Sequence, residues 1–464
     1  MAQKRVKDNW LLVMDERLYQ RLHAHLFRGD DDEHGAVILA GLAESPRGTR
    51  LLAREAVLAR DGIDFVPGER GYSALAGRFV AEMAGCCADE DLVYLAVHNH
   101  PGSRWVRFSQ PDLAAHVRGY PALLDITNGG PVGALVFAQN AVAGDIWTAD
   151  GQRHPMTNAQ IVGLHPQRLY PEPPSPVPGI SECYDRQVRL FGDAGQHLLS
   201  QLKVGVIGAG GGGSLLLQML ARLGVGYLIA VDSDHVDITN LPRIVSARQR
   251  DIGRAKVDVA RRVAREANPE GRFEAVEGSL VDAAVARRLT DADFLFLATD
   301  TMQSRLIFNA LVHQYLIPGI QIGAKVMVEP LTGTVEDVFA VSRLVLPSSG
   351  CLHCNGLISS AQLQQEALTP EERQRQRYID DEDVPDPSVI TLNALSASHA
   401  MNDFLLIMTG LLQPTASAGY LQVHPCERSI ERVRVRSDPA CRACSLGPAS
   451  RYARGDRIPL PCRL

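Results

Sequence analysis

The stretch Lys203–Gly213 reads KVGVIGAGGGG, an apolar run that passes directly into a run of glycines. The next residues, Ser214–Leu223 (SLLLQMLARL), are apolar enough for a buried helix. A strand, a glycine loop and a helix in this order open a βαβ unit. Glycines let the backbone approach a phosphate, and the first turn of a helix attracts negative charge. The stretch therefore predicts a nucleotide site on a parallel sheet.

Two further strands are expected downstream, at Tyr227–Asp232 and Phe294–Thr299. Strands that alternate with helices of this length form a mostly parallel sheet with helices on both faces. The fold class expected for this half of the chain is therefore α/β, Rossmann-like and doubly wound.

Polar residues at the strand ends indicate which nucleotide binds. Asp232 ends its strand in an acid, which suits the ribose of NAD and of ATP alike. Asn240, Arg243 and Lys256 add polar and cationic side chains suited to a triphosphate, so ATP is favoured over NAD. Asp300 closes a later strand and could hold Mg²⁺, which binds through one or two carboxylates and phosphate oxygens.

Four of the nine cysteines form two CxxC pairs, Cys351 with Cys354 and Cys441 with Cys444. In a reducing compartment, cysteines are ligands or catalytic thiols before they are disulfides. Two separated CxxC pairs are a strong signal for a closed, tetrahedral zinc site. We expect this zinc to be structural and to fix a late part of the chain to the domain.

The first half of the chain contains a different run of ligands, residues 98–112, HNHPGSRWVRFSQPD. His98 and His100 follow an apolar run, and Asp112 can supply a third ligand from a helix start. Three protein ligands and an open position are typical of catalytic zinc. Ser109 could stabilise a tetrahedral oxyanion. A bare HxH pair is more often two exposed histidines, so the prediction depends on the whole run.

Most of residues 183–447 resemble the ThiF/MoeB/ubiquitin-activating family. In chain order the motifs are Tyr184-Asp185-Arg186-Gln187, Phe191-Gly192, Gly195-Gln196, the glycine loop, Asp232-Ser233-Asp234, Asn240-Leu241-Pro242-Arg243, Gly253-Arg254-Ala255-Lys256, Thr299-Asp300 and the two CxxC pairs. The resemblance implies adenylation of a C-terminal glycine carboxylate by ATP with Mg²⁺, and release of pyrophosphate.

The same resemblance implies roles for individual residues. Asp232 binds the ribose, and Asp300 organises magnesium and the attacked phosphate. Arg186 reaches across a homodimer into the ATP site of the partner. The nucleotide-binding set implied is Gly208, Gly210, Gly211, Gly213, Asp232, Asp234, Asn240, Arg243, Lys256 and Asp300.

The run from His98 to Asp112, His-x-His-Pro followed by Ser-x-x-Asp, resembles the motif of the JAMM (JAB/MPN) metalloproteases. That family removes ubiquitin or ubiquitin-like proteins by hydrolysing isopeptide or peptide bonds. The resemblance implies that His98, His100 and Asp112 bind the zinc and that Ser109 assists the oxyanion.

The JAMM family also requires an upstream glutamate next to the first core strand. Glu33 precedes the apolar run Ala36–Leu39 and is the candidate general base, ahead of Glu55. One feature departs from the family, because the seven residues 102–108 separate the proline from the serine where six are usual. The departure leaves two readings open, an active peptidase and an inactive scaffold that only holds the carrier.

The expected organisation is a JAB/MPN-like α/β domain at residues 8–155, a linker at 156–182 and a ThiF-type domain at 183–450. The linker is placed on LYPEPPSPVPG, residues 169–179, which contains five prolines. The net charge of −6 and the pI near 6.2 argue against a dedicated nucleic-acid binder. Without an apolar window for a membrane span or a signal peptide, the protein is expected in the cytoplasm.

Enzymes of this type that pass the adenylate to their own cysteine usually carry it between the CxxC pairs, in a crossover loop. The corresponding residues 359–389 contain no cysteine, and Cys426 and Cys183 are weaker candidates. We therefore expect adenylation with the thioester step absent, or performed by a separate conjugating protein or an atypical cysteine.

Both halves of the chain suit one partner, a small ubiquitin-like or sulfur-carrier protein. The first interpretation is a bifunctional enzyme of prokaryotic ubiquitin-like conjugation, in an antiphage system for example, which activates the carrier and cleaves it. The alternative is sulfur-carrier activation for cofactor or amino-acid biosynthesis, with the peptidase trimming the carrier.

Overall fold

The computed structural model describes residues 9–30, 32–67, 73–177, 179, 181–245, 247–329, 334–368 and 387–463. These residues form two compact units. Unit 1 holds the residues up to Pro176 together with two short later segments, His313–Leu316 and Cys444–Pro459, and unit 2 holds the rest. Within the described ranges, no helix has both the length and the apolar content to cross a bilayer.

Unit 1 is an α/β unit built mainly from strands. Its elements are β1 (Trp10–Asp15), α1 (Glu16–Leu26), β2 (Gly35–Ser45), β3 (Gly48–Leu58), β4 (Phe65–Pro67), β5 (Ser73–Leu75), α2 (Gly77–Glu90), β6 (Val93–Asn99), α3 (Gln110–Ile126), β7 (Val132–Ala138), β8 (Ala141–Trp147), β9 (Arg153–Val162) and β10 (Gln167–Leu169).

Eight of these strands form one sheet in the order β1-β3-β2-β6-β7-β8-β9-β10. β1 pairs in parallel with β3 and also with β9, so the sheet closes on itself. Alternate residues of a strand face opposite sides of a sheet. Ile38 accordingly packs with α1 in one apolar cluster, and Val37 packs with α2 and α3 in another.

The expected boundary at residue 156 is corrected by the last two strands of this sheet. β10 and most of β9 occupy residues expected in the linker, and β9 pairs with β1 through residues 156–162. β9 carries the polar side chains Thr157, Asn158 and Gln160, and this polar composition does not indicate a buried strand. The sheet therefore continues to Leu169.

Unit 2 alternates strands and helices and then continues with strands. Its elements are α4 (Asp185–Gln201), β11 (Lys203–Ile207), α5 (Gly211–Arg222), β12 (Tyr227–Asp232), α6 (Lys256–Ala267), β13 (Arg272–Glu277), α7 (Ala283–Ala286), β14 (Phe294–Leu297), α8 (Met302–Gln314), β15 (Gly319–Val328), β16 (Val335–Val345), α9 (Ser360–Ala367), α10 (Ile390–Met408), β17 (Tyr420–His424) and β18 (Ser429–Val433).

The sheet of unit 2 confirms the predicted parallel order and adds an antiparallel part. β13-β12-β11-β14-β15 are all parallel, and β16, β17 and β18 follow in antiparallel pairs. The chain order reverses between β11 and β14, and in such sheets ligands bind outside the carboxyl ends of the strands at that point. Of the expected crossover loop, residues 369–386 lie outside the described part of the chain.

The segment Cys444–Pro459 belongs to unit 1, which corrects the expected end of the ThiF-type domain at residue 450. The buried Tyr452 hydroxyl donates to the side chain of Asp15, which caps α1. Arg54 of β3 donates to the carbonyl oxygens of Tyr452 and Gly447. Because these partners are far apart in sequence, no local sequence pattern indicates the contact.

Candidate functional site

The glycine loop joins β11 to α5 in a conformation that requires glycine at two positions. Gly208 has a φ of +94°, and a methyl group there would lie 2.8 Å from the Ala298 carbonyl oxygen. A methyl group at Gly213 would lie 1.8 Å from the carbonyl oxygen of Gly208. The loop is therefore tightly closed. The helix α5 begins at Gly211, and the N–H groups of a first helical turn have no acceptor within their own helix.

Asp232, at the carboxyl end of β12, is bonded to the glycine loop. One of its oxygens accepts the Ala209 N–H over 2.6 Å, and the other accepts the Asp234 N–H over 2.8 Å. Burial raises the pKa of the Asp232 carboxyl, although both hydrogen bonds and Lys256 act in the opposite direction. The acid expected at the ribose is thus held next to the loop.

Two cations lie at the same edge of the sheet. Lys256, the first residue of α6, places its Nζ 2.7 Å from Oδ2 of Asp234, and its side chain is only 12% exposed. The Cδ atom of Arg243 lies 3.5 Å from where a methyl group on Gly211 would be. Both cations are therefore close to the segment expected to bind phosphates.

Asn393 of α10 is a neighbour of the glycine loop that was not predicted from the sequence. Its Nδ2 lies 2.4 Å from the position of a methyl group on Gly211. The residue comes from a helix far along the chain, and no local pattern marks it. Asn240, in contrast, was expected at the phosphates, but its Oδ1 accepts the Asp237 N–H and closes a local turn.

Asp300 lies exposed just after β14, the strand next to β11. Thr299, the residue before Asp300, lies next to Gly208. The Cγ2 atom of Thr299 is 2.8 Å from the position that a methyl group on Gly208 would occupy. The structure thus brings Asp232, Arg243, Lys256 and Asp300 to the carboxyl edge of the parallel strands around the glycine loop.

Arg186 lies at the opposite end of α5 from this loop. The residue is exposed in the first turn of α4. Its neighbour Gln187 donates to the carbonyl oxygen of Leu223, which follows the last residue of α5. A helix of twelve residues is about 18 Å long, so the chain does not bring Arg186 to its own nucleotide site.

Three side chains of unit 1 converge as the sequence predicted. His98 lies in β6, His100 follows the strand, and Asp112 lies in the first turn of α3. The Nε2 atoms of the two histidines are 3.2 Å apart. Oδ2 of Asp112 lies 3.6 Å from Nε2 of His98 and 3.4 Å from Nε2 of His100. Tetrahedral zinc at 2.0–2.1 Å separates such ligands by about 3.3 Å, so the donor set fits zinc.

Ser109 and Glu33 also lie at this cluster. The Ser109 hydroxyl and N–H both donate to Asp112, so Ser109 forms a capping box at the start of α3. Burial raises the pKa of Asp112, but His98 and Ser109 outweigh it and hold that pKa well below its usual range. Oε1 of Glu33 lies 3.7 Å from Nε2 of His100.

The other ring nitrogen of His100 is also bonded. Its Nδ1 lies 3.2 Å from the carbonyl oxygen of Arg107, in the loop that carries the seven-residue spacing. A carbonyl oxygen at this position accepts a hydrogen bond from the Nδ1–H tautomer, which leaves the lone pair of Nε2 free to bind a metal. The longer loop is therefore compatible with the orientation that a metal ligand needs.

The four cysteines of the two CxxC pairs form a second cluster. Their Sγ atoms all lie within 4.8 Å of one another, and Cys351 is 3.6 Å from both Cys354 and Cys441. Tetrahedral zinc at about 2.3 Å separates thiolate ligands by about 3.8 Å, so this set also fits zinc. Cys183 and Cys426, the weaker candidates for a thioester, are both exposed.

Comparison with known families identifies the second half of the chain. The model of the ThiF family matches residues 184–443, which is more than half of the chain. The chain belongs to the ThiF family. The matched range contains the glycine loop, Asp232, Lys256 and Asp300.

Three curated relatives in the ThiF region are similar to this chain. The SAMP-activating enzyme E1 of Haloferax volcanii is 29% identical over 173 residues, which are 37% of this chain and 60% of the relative. Molybdopterin-synthase adenylyltransferase of Escherichia coli is 32% identical over 148 residues, 32% of this chain and 59% of the relative. Sulfur carrier protein adenylyltransferase of Thermus thermophilus is 35% identical over 128 residues, which are 27% of this chain and 47% of the relative.

The chain thus matches between 47% and 60% of the length of these relatives. Among solved structures, E. coli MccB with MccA-N7isoASN matches at 21% identity and a TM-score of 0.47, over 58% of this chain and 77% of MccB.

Proposed function

We propose that unit 2 adenylates the C-terminal glycine carboxylate of a ubiquitin-like or sulfur-carrier protein. The observation that supports this most is the convergence of Asp232, Arg243, Lys256 and Asp300 around a closed glycine loop. An acid for the ribose, cations for the phosphates and a carboxylate for magnesium together suit ATP. The relatives, named as adenylyltransferases and as an activating enzyme, agree with this choice.

In this reaction a carboxylate oxygen of the carrier attacks the α-phosphorus of ATP. The bond from that phosphorus to the bridging oxygen breaks, and pyrophosphate leaves with the electron pair. Lys256 and Arg243 stabilise the negative charge that grows on the phosphate oxygens. Asp300 would hold Mg²⁺, which offsets phosphate charge when it is bound.

The position of Arg186 supports a homodimer. Arg186 lies in the first turn of α4, which is next to the end of α5 that is remote from the glycine loop. In a dimer the same arginine can reach the site of the partner, as the family resemblance implies. Because residues 359–389 contain no cysteine, the thioester step is either absent or performed by a separate conjugating protein or an atypical cysteine.

We also propose that unit 1 is a zinc peptidase that cleaves the same carrier. His98, His100 and Asp112 would hold the zinc, whose Lewis acidity lowers the pKa of a water molecule when the ion is bound. Glu33 takes a proton from the attacking water and passes it to the leaving nitrogen as the carbon–nitrogen bond breaks. The carboxylate of Glu33 is 31% exposed, so it can exchange protons at the surface of the cluster.

Two alternatives keep the adenylation and differ elsewhere. Sulfur-carrier activation for biosynthesis agrees with the names of two relatives. Neighbouring genes for sulfur transfer would favour it, and a gene for a conjugating enzyme would favour protein modification. An inactive unit 1 that only holds the carrier is the second alternative, and zinc content tests it.

The adenylation is tested by titration calorimetry with MgATP and by ATP–pyrophosphate exchange. The carriers are ubiquitin-like and sulfur-carrier proteins that end in glycine. We expect exchange that requires a carrier and that is abolished in Asp300→Ala, with Asp258→Ala, on the exposed face of α6, as the control. Absence of ATP binding, preference for NAD, or full exchange in Asp300→Ala would overturn the proposal.

The peptidase is tested by metal analysis and by mass spectrometry of a carrier with a C-terminal extension. We expect two zinc ions per chain, of which one is lost in the variant His98→Ala/His100→Ala. Cleavage should require Glu33 and be lost in Glu33→Gln, whereas Glu55→Gln, in β3, keeps it. One zinc in the wild-type protein would favour the inactive scaffold.

A further inference from the structure

Asn99 separates the two histidines of the metal cluster, and neither the motif nor the proposed chemistry gives it a role. The residue is only 6% exposed, so its side-chain amide must find hydrogen-bond partners inside the protein. Both of its partners lie in the segment that carries Glu33.

The amide of Asn99 bonds to the peptide groups on both sides of Glu33. Its Oδ1 accepts the His34 N–H over 2.6 Å, and its Nδ2 donates to the carbonyl oxygen of Asp32 over 3.3 Å. The strand pairing of β2 with β6 ends at Gly35 and His98. The side chain of Asn99 therefore continues the link between the two segments beyond the last strand pair.

The same segment is held from its other side by His34. The ring of His34 is 5% exposed and lies between Asp30, 2.9 Å from its Nε2, and Asp61, 3.2 Å from its Nδ1. With the backbone of residues 32–34 fixed at both ends, the side chain of Glu33 is left facing His100 at 3.7 Å.

We propose that Asn99 is a positioning residue that holds Glu33 in place beside the metal cluster. Asn99 itself does not touch the reacting atoms. The inference rests on the proposed peptidase function, since it assigns to Asn99 the placement of the general base of that reaction.

The kinetic test uses Asn99→Ala, Glu33→Gln and the double variant on a carrier with a C-terminal extension. We expect Asn99→Ala to lower kcat about 10–100-fold with KM and zinc content unchanged. The double variant should be no slower than Glu33→Gln, because both changes disable one group. Asn158→Ala, a half-buried asparagine in β9, is the control and should keep the wild-type kcat.

A second test does not depend on activity. Amide hydrogen exchange at His34 should be slow in the wild-type protein and at least about 10-fold faster in Asn99→Ala, because the acceptor is gone. Asn99→Asp keeps that acceptor and loses only the donor to Asp32, so the His34 amide should stay protected.

The outcomes separate the two ideas. A wild-type protein that cleaves no carrier but shows the expected exchange pattern contradicts the peptidase and leaves the contact of Asn99 with the Glu33 segment intact. Unchanged kcat in Asn99→Ala, additive losses in the double variant, zinc loss equal to that of His98→Ala, or unchanged exchange at His34 would each overturn the positioning role.

Discussion

The hydroxyl of Ser109 donates a hydrogen bond to Oδ2 of Asp112 over 2.6 Å. The same oxygen accepts the Ser109 N–H and faces both histidines of the cluster. In this arrangement Ser109 orients Asp112, which we propose as a metal ligand, whereas its motif suggested an oxyanion helper. The two roles predict different measurements.

We predict that Ser109→Ala weakens zinc binding about 10-fold, because groups that orient a ligand typically contribute this much to metal affinity. Competition with a chromophoric chelator measures the effect. Ser103→Ala, in the same loop, is the control and should bind zinc like the wild-type protein. Unchanged zinc affinity together with a lower kcat would instead support the oxyanion role.

Lys256 should contribute strongly to ATP affinity. Its ammonium group is 12% exposed and pairs with Asp234 beside the glycine loop. A charge-assisted hydrogen bond is worth about 1.5–3 kcal/mol, so Lys256→Ala should weaken MgATP binding about 10–100-fold. Titration calorimetry measures the affinity, and Arg261→Ala on the same helix serves as the control. Equal affinities in the two variants would contradict the assignment.

Asp145 should make the stability of unit 1 sensitive to acid. Burial raises the pKa of its carboxyl, but hydrogen bonds from His116, Arg153 and Trp147 lower it to about 2. The value in the unfolded chain is about 3.9, so the stabilisation is complete above that pH and is lost as the pH falls towards 2. At pH 7 it amounts to about 2–3 kcal/mol.

The variant Asp145→Asn should therefore be less stable at pH 7 and should lose less stability on acidification. All three tryptophans lie in unit 1, so the fluorescence change in urea reports the unfolding of this unit. Asp89→Asn, at an exposed position of α2, is the control. A variant with the acid sensitivity of the wild-type protein would show that Asp145 is not the cause.

Tyr452 should stabilise unit 1 although it lies near the end of the sequence. Its buried hydroxyl donates to Asp15, and Tyr452→Phe leaves that carboxylate oxygen without this partner. The loss of such a hydrogen bond lowers the free energy of unfolding by about 1–3 kcal/mol. Urea unfolding followed by tryptophan fluorescence should shift to lower urea in Tyr452→Phe and not in Tyr184→Phe, in unit 2. Equal shifts would contradict the contact.

The parts of the fold that the sequence predicted are local. β11, the glycine loop and α5 follow one another along the chain, and β12 was predicted with its observed bounds, Tyr227–Asp232. The period of the hydrophobic residues and the residue types are enough to predict such segments, without knowledge of long-range contacts. The antiparallel pairing of β16 to β18 was not predicted, because the place of these strands at the sheet edge depends on long-range contacts.

The site shows the same division. His98, His100 and Asp112 were predicted from a fifteen-residue run, and the structure brings them together. Asn393 was missed because it reaches the glycine loop from a helix about 180 residues away. The local hydrogen bond of Asn240 was not predicted either, because its side-chain oxygen accepts the Asp237 N–H and closes a turn.

The assignment of Cys444–Pro459 to unit 1 has a consequence for how the protein is made. Ribosomes deliver the chain from its N-terminus, so the first 176 residues emerge long before the piece that completes their unit. A chain cut before Cys444 would lack this segment of unit 1 and also the residues after Pro459 that belong to unit 2. Unit 1 can therefore be completed only after most of unit 2 has been synthesised.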